Sequence, residues 1–235
     1  IGLVAGLVEE TPEFRFYNSA VYLEDGEIVH VHRKVYLPTY GLFDEGRYFA
    51  RGDRVRSFAS RFGRMALLIC EDLWHLSTVY LAAMDRAVTI VCPSASPLRG
   101  VSDGESADDN ARYWERLLAM YAQSFSLFVV HANRAGFEDG VGFWGGSSIV
   151  DPRGAAVARA PYYESDLLTA EVNLKRARQG RVVSPMLRDE DLDLTIHELL
   201  RIREESGATP ADRSPAAESV VRDEPAAPRR RASRR

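Results

Sequence analysis

One cysteine stands where an apolar run of strand length ends. Cys70 follows the run 65–69 and precedes the acids Glu71 and Asp72. A five-residue apolar run that begins soon after Gly63 and ends at acids is typical of a buried strand. A thiol at the tip of such a strand lies at a sharp turn beside backbone N–H groups, which is how α/β folds present nucleophiles. The alternative for Cys70 is a small, inert core residue.

A lysine upstream favours the nucleophile. Lys34 follows a predicted β-hairpin, whose strands 20–23 and 28–31 flank an Asp-Gly turn. A lone lysine at a strand end is usually solvated, but the loop after Lys34 is too apolar for a plain linker. Its aromatic residues are Tyr36, Tyr40, Phe43, Tyr48 and Phe49. We therefore expect this loop to fold over a pocket.

Together, the lysine loop and the Cys-Glu-Asp-Leu-Trp turn resemble the nitrilase superfamily of carbon–nitrogen hydrolases. The similarity is closest to the glutamine-amidase domain of glutamine-dependent NAD synthetases. It continues through segments 93–97, 112–136 and 145–154, and runs from residue 1 to about residue 200. Each motif is weak alone, whereas their order along the chain is specific.

The resemblance implies a thiolate mechanism. Cys70 would be the nucleophile that attacks an amide carbonyl and forms a thioester, which water then hydrolyses. Lys34 would lower the pKa of the thiol and stabilise the oxyanion, with the N–H of Glu71 as the second oxyanion donor. Glu45 matches a family glutamate that orients the lysine and assists the proton transfers.

The family's first catalytic residue, a glutamate on an early strand-to-helix turn, has no counterpart in this sequence. Residues 1–9 resemble the family's third strand, and Glu9, Glu10 and Glu13 are interpreted as surface or strand-end carboxylates. We therefore expect an N-terminally incomplete domain, inactive as given, whose general base lies upstream. The alternative is a protein without this base. We favour the first interpretation, because a complete protein that lacked these central strands would expose a large apolar surface.

The elements that position these residues alternate between strands and helices, which predicts an α/β fold. Further strands are predicted at 55–59, 65–69, 88–92, 127–132, 147–150, 155–159 and 167–172. Helices are predicted at 75–85, 109–125 and 190–204. In the last two, apolar residues recur at helical spacing. The resemblance implies a nitrilase-like α-β-β-α sandwich that is N-terminally incomplete.

The length of 235 residues suits one domain and a tail. Residues 1–205 are predicted to form the hydrolase domain. Residues 206–235 are rich in Pro, Ala and Arg, and they have too few large apolar groups to offset their ordering entropy. We predict that this tail is disordered. Its terminal arginines either bind an anionic partner or only solubilise the chain.

Composition excludes several classes of protein. The net charge of −4 argues against a nucleic-acid partner, and no apolar run has the length of a membrane span. Cys70 and Cys92 make no disulfide framework, and Cys92 is interpreted as a core residue. The five histidines lack metal-ligand spacing, so no metal and no cofactor are expected. The need for a reduced thiol favours a cytoplasmic location.

Four further side chains are candidates for the substrate pocket: Tyr40, Trp74, Asn133 and Trp144. The two tryptophans are equally well explained as partly buried aromatic residues. Asn133 either holds the backbone of the pocket or forms a turn. Asp72 is interpreted as a cap of the helix after the cysteine turn rather than as a substrate contact.

The sequence therefore predicts an amidohydrolase that cleaves a non-peptide C–N bond through a cysteine thioester. The expected substrate is a small amide or nitrile, and a homo-oligomer is expected. One alternative is a glutaminase module that supplies ammonia to NAD synthesis, although the chain contains no ATP-pyrophosphatase-like Ser-Gly-Gly motif. The other alternative is a non-catalytic homologue used for binding or assembly.

Overall fold

The computed structural model describes residues 1–98 and 107–207. Backbone contacts divide the chain into two units, Ile1–Leu192 and Asp193–Arg235. The tail predicted to be disordered lies, from residue 208 onward, outside the described residues, and the domain boundary at residue 205 stays a prediction. Within the described residues, no helix is both long enough and apolar enough to cross a membrane.

A three-stranded antiparallel sheet begins the first unit. Its strands are β1 (Gly2–Glu10), β2 (Phe16–Glu24) and β3 (Glu27–Arg33), in that spatial order. The turn between β2 and β3 contains Asp25 and Gly26, both at positive φ (53° and 84°). A type I′ hairpin turn requires this pair of left-handed residues. The predicted hairpin is confirmed, and its strands are longer than predicted.

A six-stranded sheet follows, with a separate two-stranded hairpin inserted late in the chain. The six strands are β4 (Ser57–Ser60), β5 (Gly63–Leu67), β6 (Thr89–Ser94), β7 (Phe128–Asn133), β10 (Ser148–Val150) and β11 (Ala156–Arg159). The hairpin strands are β8 (Ala135–Glu138) and β9 (Val141–Trp144). The spatial order of the larger sheet is β11-β10-β7-β6-β5-β4, with β5, β6 and β7 parallel. The carboxyl ends of parallel strands meet at one edge, and Cys70 follows β5 there.

Helices cover one face of the larger sheet. The crossovers between the parallel strands contain α2 (Leu76–Met84) and α3 (Ala107–Ser124), which confirms the two predicted helices. Trp114 and Tyr121 of α3 share a buried core with Ile90 of β6. The shorter helix α1 (Glu45–Tyr48) lies in the lysine loop. The later helices are α4 (Lys175–Val183), α5 (Met186–Asp189) and α6 (Leu192–Glu205).

The opposite face of the larger sheet packs on the small sheet. Ala20 and Tyr22 of β2 share a second buried core with Met65 and Leu67 of β5. The first unit is therefore layered as helices, sheet and sheet. Leu3 of β1 is exposed on the small sheet.

The strand predicted at 167–172 is wrong, because this segment has no regular secondary structure. Leu167 and Val172 are exposed, and the larger sheet ends at β11. Among the described strands, none pairs with the segment. Alternating apolar residues form a strand only where a neighbour can accept the backbone hydrogen bonds.

Candidate active site

Cys70 lies at a strained turn just after the buried end of β5. Leu68 and Ile69 are buried, and the chain then enters a 3-10 turn over Cys70–Trp74. The φ angle of Cys70 is 44°, a left-handed conformation that costs energy for a residue with a side chain. Cys70 is half-buried and lines a cavity of about 610 Å³. The structure thus presents this thiol at a turn, as the sequence predicts.

Lys34 and Glu45 form an ion pair at the same cavity. Lys34 Nζ lies 2.7 Å from Oε1 and 2.8 Å from Oε2 of Glu45, and both residues line the cavity with Cys70. Lys34 is only 2% exposed. Its backbone N–H donates to the carbonyl of Asn18, and its carbonyl accepts the N–H of Gly52. The structure therefore brings the three predicted catalytic side chains together.

Glu71 presents its carboxylate to the cavity. Its Oε1 accepts a 2.6 Å hydrogen bond from the Tyr40 hydroxyl, and His75 Nε2 lies 3.8 Å from the same oxygen. Burial raises the pKa of Tyr40, and the bond to Glu71 raises it further. The phenol therefore stays protonated and donates to the carboxylate. The role of the Glu71 backbone N–H in binding an oxyanion stays a prediction.

Asp72 does not cap helix α2, which corrects the interpretation made from the sequence. Its carboxylate accepts the backbone N–H of Ile69, three residues earlier, and so caps the 3-10 turn itself. It also accepts the backbone N–H groups of Val35 and Tyr36. The reason for the difference is tertiary: the lysine loop lies beside the cysteine turn and supplies further donors to the same carboxylate.

Lys34 lowers the pKa of the Cys70 thiol, as the sequence predicts, but burial outweighs this effect. Burial raises the pKa of Cys70, and the net direction is upward. The Lys34 ammonium and the backbone N–H of Ala95 lower this pKa, while Glu71 and Glu45 raise it. Glu45, which contacts Lys34, opposes the effect of Lys34 only weakly, and burial has the largest effect. The Cys70 thiol is therefore more difficult to ionise than a free thiol.

Cys92 is a core residue, as predicted. It is completely buried in β6, and its Sγ lies 3.3 Å from Oγ of Ser94. Burial raises the pKa of the Cys92 thiol. A thiol that is both buried and difficult to ionise is inert toward electrophiles.

The two candidate tryptophans have different environments. Trp74 lines the cavity together with Tyr40, and it stacks on Tyr113 with ring centroids 4.4 Å apart. The assignment of Trp144 to the pocket is wrong, because this residue is 1% exposed and belongs to the same buried core as Trp114 of α3. Its ring packs against those of His131 and other core aromatics. Position in the tertiary structure, and not residue type, separates the two.

Asn133 lies behind the cavity and does not line it, which corrects its assignment to the pocket surface. Its Oδ1 accepts the backbone N–H of Ser96, which does line the cavity, at 2.9 Å. Its Nδ2 donates to the carbonyl of Gly145. Asn133 therefore holds the backbone of the pocket, one of the two interpretations left open by the sequence.

Helix α3 contributes a polar wall that the sequence analysis missed. Asp109, Tyr113 and Arg116 line the cavity, and spacings of four and three residues place them on one helix face. Asn110 also lines the cavity and donates from Nδ2 to the carbonyl of Pro97 at 2.8 Å. The signal available in the sequence was the helical spacing of these polar residues.

The described residues offer no metal site, since no group of three or more His, Cys, Asp or Glu side chains among them is placed to hold an ion. The completely buried His131 stacks on Trp114 with ring centroids 4.6 Å apart. Burial lowers the pKa of His131 to about 3. This histidine is therefore a neutral core residue.

The chain matches the family model for carbon-nitrogen hydrolase over residues 1–182. It is 29% identical over 182 residues to the glutamine-dependent NAD(+) synthetase of Acinetobacter baylyi, and the match covers 77% of this chain and 32% of that protein. The chain spans about a third of the length of the NAD synthetases that it matches.

Two solved structures share this arrangement of helices and sheets. The carbon-nitrogen hydrolase of Helicobacter pylori G27 matches with a TM-score of 0.78 and 29% identity, covering 85% of this chain and 71% of that one. A mutant of the amidase from Nesterenkonia sp. AN1 matches with a TM-score of 0.68 and 26% identity, covering 84% and 67%. That amidase carries the acetamide moiety of fluoroacetamide on its active-site cysteine.

Proposed function

Because the chain belongs to the carbon–nitrogen hydrolase family and has the α/β fold of the nitrilase superfamily, we propose that it hydrolyses a small, non-peptide amide. The observation that carries the proposal is one cavity lined by Cys70, Lys34 and Glu45. The relative with an acetamide adduct on its cysteine supports the assignment of Cys70 as the nucleophile.

The first half of the proposed reaction forms a thioester. The Cys70 thiol transfers its proton to a carboxylate, and Sγ attacks the carbonyl carbon of the amide. Lys34 and the N–H of Glu71 stabilise the negative charge that develops on the carbonyl oxygen. The carboxylate then returns the proton to the nitrogen. The C–N bond breaks, ammonia leaves, and the acyl group stays on Sγ.

The second half restores the thiol. A water molecule transfers a proton to the carboxylate and attacks the thioester. The C–S bond breaks, the carboxylic acid leaves, and the carboxylate returns the proton to Sγ of Cys70. Glu45 is proposed to orient Lys34 and to assist these transfers, because its carboxylate lies at the cavity and holds Lys34 Nζ at 2.7 Å. The role of the family's first catalytic glutamate, which the resemblance implies, stays a prediction.

A glutaminase is the second candidate function. Asp109 and Arg116, of opposite charge, line the same cavity as Cys70. These charges suit the amino and carboxylate groups of an amino-acid amide such as glutamine. The similarity to NAD synthetases favours the same substrate, with ammonia delivered to a synthetase. Homo-oligomerisation and a cytoplasmic location stay predictions.

Ammonia release by the full natural protein tests this proposal. The substrate panel contains glutamine, a simple aliphatic amide, a carbamoyl compound and a nitrile. We expect release from at least one of them, with Cys70→Ala inactive and Cys92→Ala active. A preference for glutamine identifies the glutaminase. Absence of release from every compound rejects the hydrolase and favours a non-catalytic binding protein. Full activity in Cys70→Ala rejects Cys70 as the nucleophile.

A further inference from the structure

The carboxylate of Asp72 is completely buried and accepts four hydrogen bonds. Oδ2 accepts the backbone N–H of Ile69 at 3.0 Å and Nε2–H of His32 at 2.8 Å. Oδ1 accepts the backbone N–H groups of Val35 and Tyr36, each at 3.0 Å. Four donors on one carboxylate compensate for the cost of burying its charge.

The four donors come from two segments only. His32 and Val35 flank Lys34 on its two sides, and Ile69 immediately precedes Cys70. Asp72 itself lies two residues after the cysteine. The Asp72 side chain therefore connects the His32 side chain, before the lysine, and the backbone after the lysine to the cysteine turn on both sides of the nucleophile.

We propose that Asp72, assisted by His32, is a positioning residue that fixes Lys34 relative to Cys70. The relevance of this positioning to catalysis rests on the proposed function. A misplacement of about 1 Å at a catalytic group can cost about 100-fold in rate, so a rigid link between the two segments has a direct chemical use. Asp72 does not line the cavity.

A general stabilising role is the competing explanation, and the chain offers a matched control for it. Asp151 is also buried, and its Oδ1 accepts the backbone N–H groups of Arg153 and Ala155. It lies in the turn between β10 and β11 and does not line the cavity. In Asp72→Asn the amide nitrogen faces N–H donors that the carboxylate accepted, and Asp151→Asn loses its ion pair with Arg176, so both are expected to lower the thermal midpoint.

The decisive readout is the pH dependence of Cys70 alkylation by iodoacetamide in the folded full protein, with adducts located by mass spectrometry. Loss of the Asp72 charge alone would ease ionisation of the thiol and move the midpoint to lower pH. Displacement of Lys34 would move the midpoint to higher pH, because the carboxylates of Glu45 and Glu71 would then raise the pKa of the thiol without the opposing ammonium. We expect Asp72→Asn to raise the midpoint by about one pH unit, which slows alkylation about tenfold below it. Asp151→Asn should leave the midpoint unchanged.

Two variants of His32 keep the test decisive if Asp72→Asn does not fold. His32→Leu removes one donor and should raise the midpoint in the same direction by a smaller amount. His32→Gln retains an N–H donor and should lie between His32→Leu and the wild type. An unchanged or lowered midpoint in Asp72→Asn overturns the proposal. If Asp72→Asn does not fold, the same result in His32→Leu overturns it.

This test is independent of turnover. If the full protein hydrolyses no amide, the proposed function fails, while the alkylation midpoint still reports whether Asp72 holds Lys34 beside Cys70. If amides are hydrolysed and the Asp72 and Asp151 variants have the same midpoint, the function stands and the positioning role is rejected.

Discussion

Nζ of Lys34 lies 2.7 Å from Oε1 of Glu45, so the cation beside the candidate nucleophile is paired with a carboxylate from the same loop. The two charges act on the Cys70 thiol in opposite directions: Lys34 lowers its pKa and Glu45 raises it. Removing one partner or the other should therefore change thiol reactivity with opposite signs.

Glu45→Gln should make Cys70 easier to alkylate and should slow the proposed ammonia release. Without the carboxylate, Lys34 acts on the thiol uncompensated, and alkylation by iodoacetamide at pH 7.5 should rise by about threefold, which is about half a pKa unit. Ammonia release should fall, because Lys34 loses the partner that orients it. Glu138→Gln, an exposed glutamate paired with Arg134, is the control. Slower alkylation in Glu45→Gln would contradict the electrostatic role.

Lys34→Ala should slow both the alkylation of Cys70 and the release of ammonia. Loss of one oxyanion donor typically costs about 10²–10³-fold in turnover, and the thiol pKa rises when the ammonium is gone. The only other lysine of the sequence, Lys175, is exposed in helix α4, so Lys175→Ala is a matched control with unchanged activity. Turnover by Lys34→Ala within twofold of the wild type would reject this assignment.

Local signals in the sequence were sufficient for the cysteine turn and the lysine loop. The apolar run before Cys70 and the Asp25-Gly26 turn are short-range patterns, and the structure contains both the buried strand end and the hairpin. The role of Asp72 was not visible, because its donors at His32 and Val35 lie 40 and 37 residues away along the chain.

Selective labelling should distinguish the two cysteines. Cys70 is half-buried at a cavity, and Cys92 is completely buried, so iodoacetamide should modify Cys70 alone in the folded protein. Because the folded-state pKa of Cys70 is raised, its thiolate fraction at pH 7 is lower than that of a free cysteine. The alkylation rate should keep rising above pH 8.5, the ordinary value for a free thiol. In denaturant both cysteines should react.

The result that would count against this picture is a labelling plateau below pH 8, which would mean a preformed thiolate. Preferential labelling of Cys92 in the folded protein would contradict the assignment of the nucleophile itself.

Substitution of Trp144 should mainly affect stability, whereas substitution of Trp74 should mainly affect substrate binding. Trp144→Ala removes a completely buried core ring and should lower the free energy of unfolding by about 3–5 kcal/mol. Trp74→Ala removes a wall of the cavity, so it should raise KM with a smaller loss of stability. Denaturant unfolding and steady-state kinetics measure the two effects. A larger loss of stability in Trp74→Ala than in Trp144→Ala would contradict the environments described here.

Tertiary context explains the remaining differences from the sequence-based predictions. Trp74 and Trp144 have the same side chain and both lie beside apolar or aromatic neighbours in sequence. Only the tertiary structure, in which Trp144 is buried and Trp74 lines the cavity, distinguishes them. The segment 167–172 has an apolar pattern and no strand to pair with among those described. The polar face of α3, in contrast, was readable from the spacing of Asp109, Tyr113 and Arg116.

The most direct test of the central claim is to detect the acyl group on Cys70. The full natural protein is mixed with an amide that it hydrolyses, quenched in acid within one turnover, and analysed by intact and peptide mass spectrometry. We predict a mass increase equal to the acyl group on the peptide that contains Cys70, its removal by hydroxylamine, and its absence in Cys70→Ala. Continued ammonia release with no acylated Cys70 at any quench time, or an acyl group on Cys92 instead, would contradict the thioester mechanism.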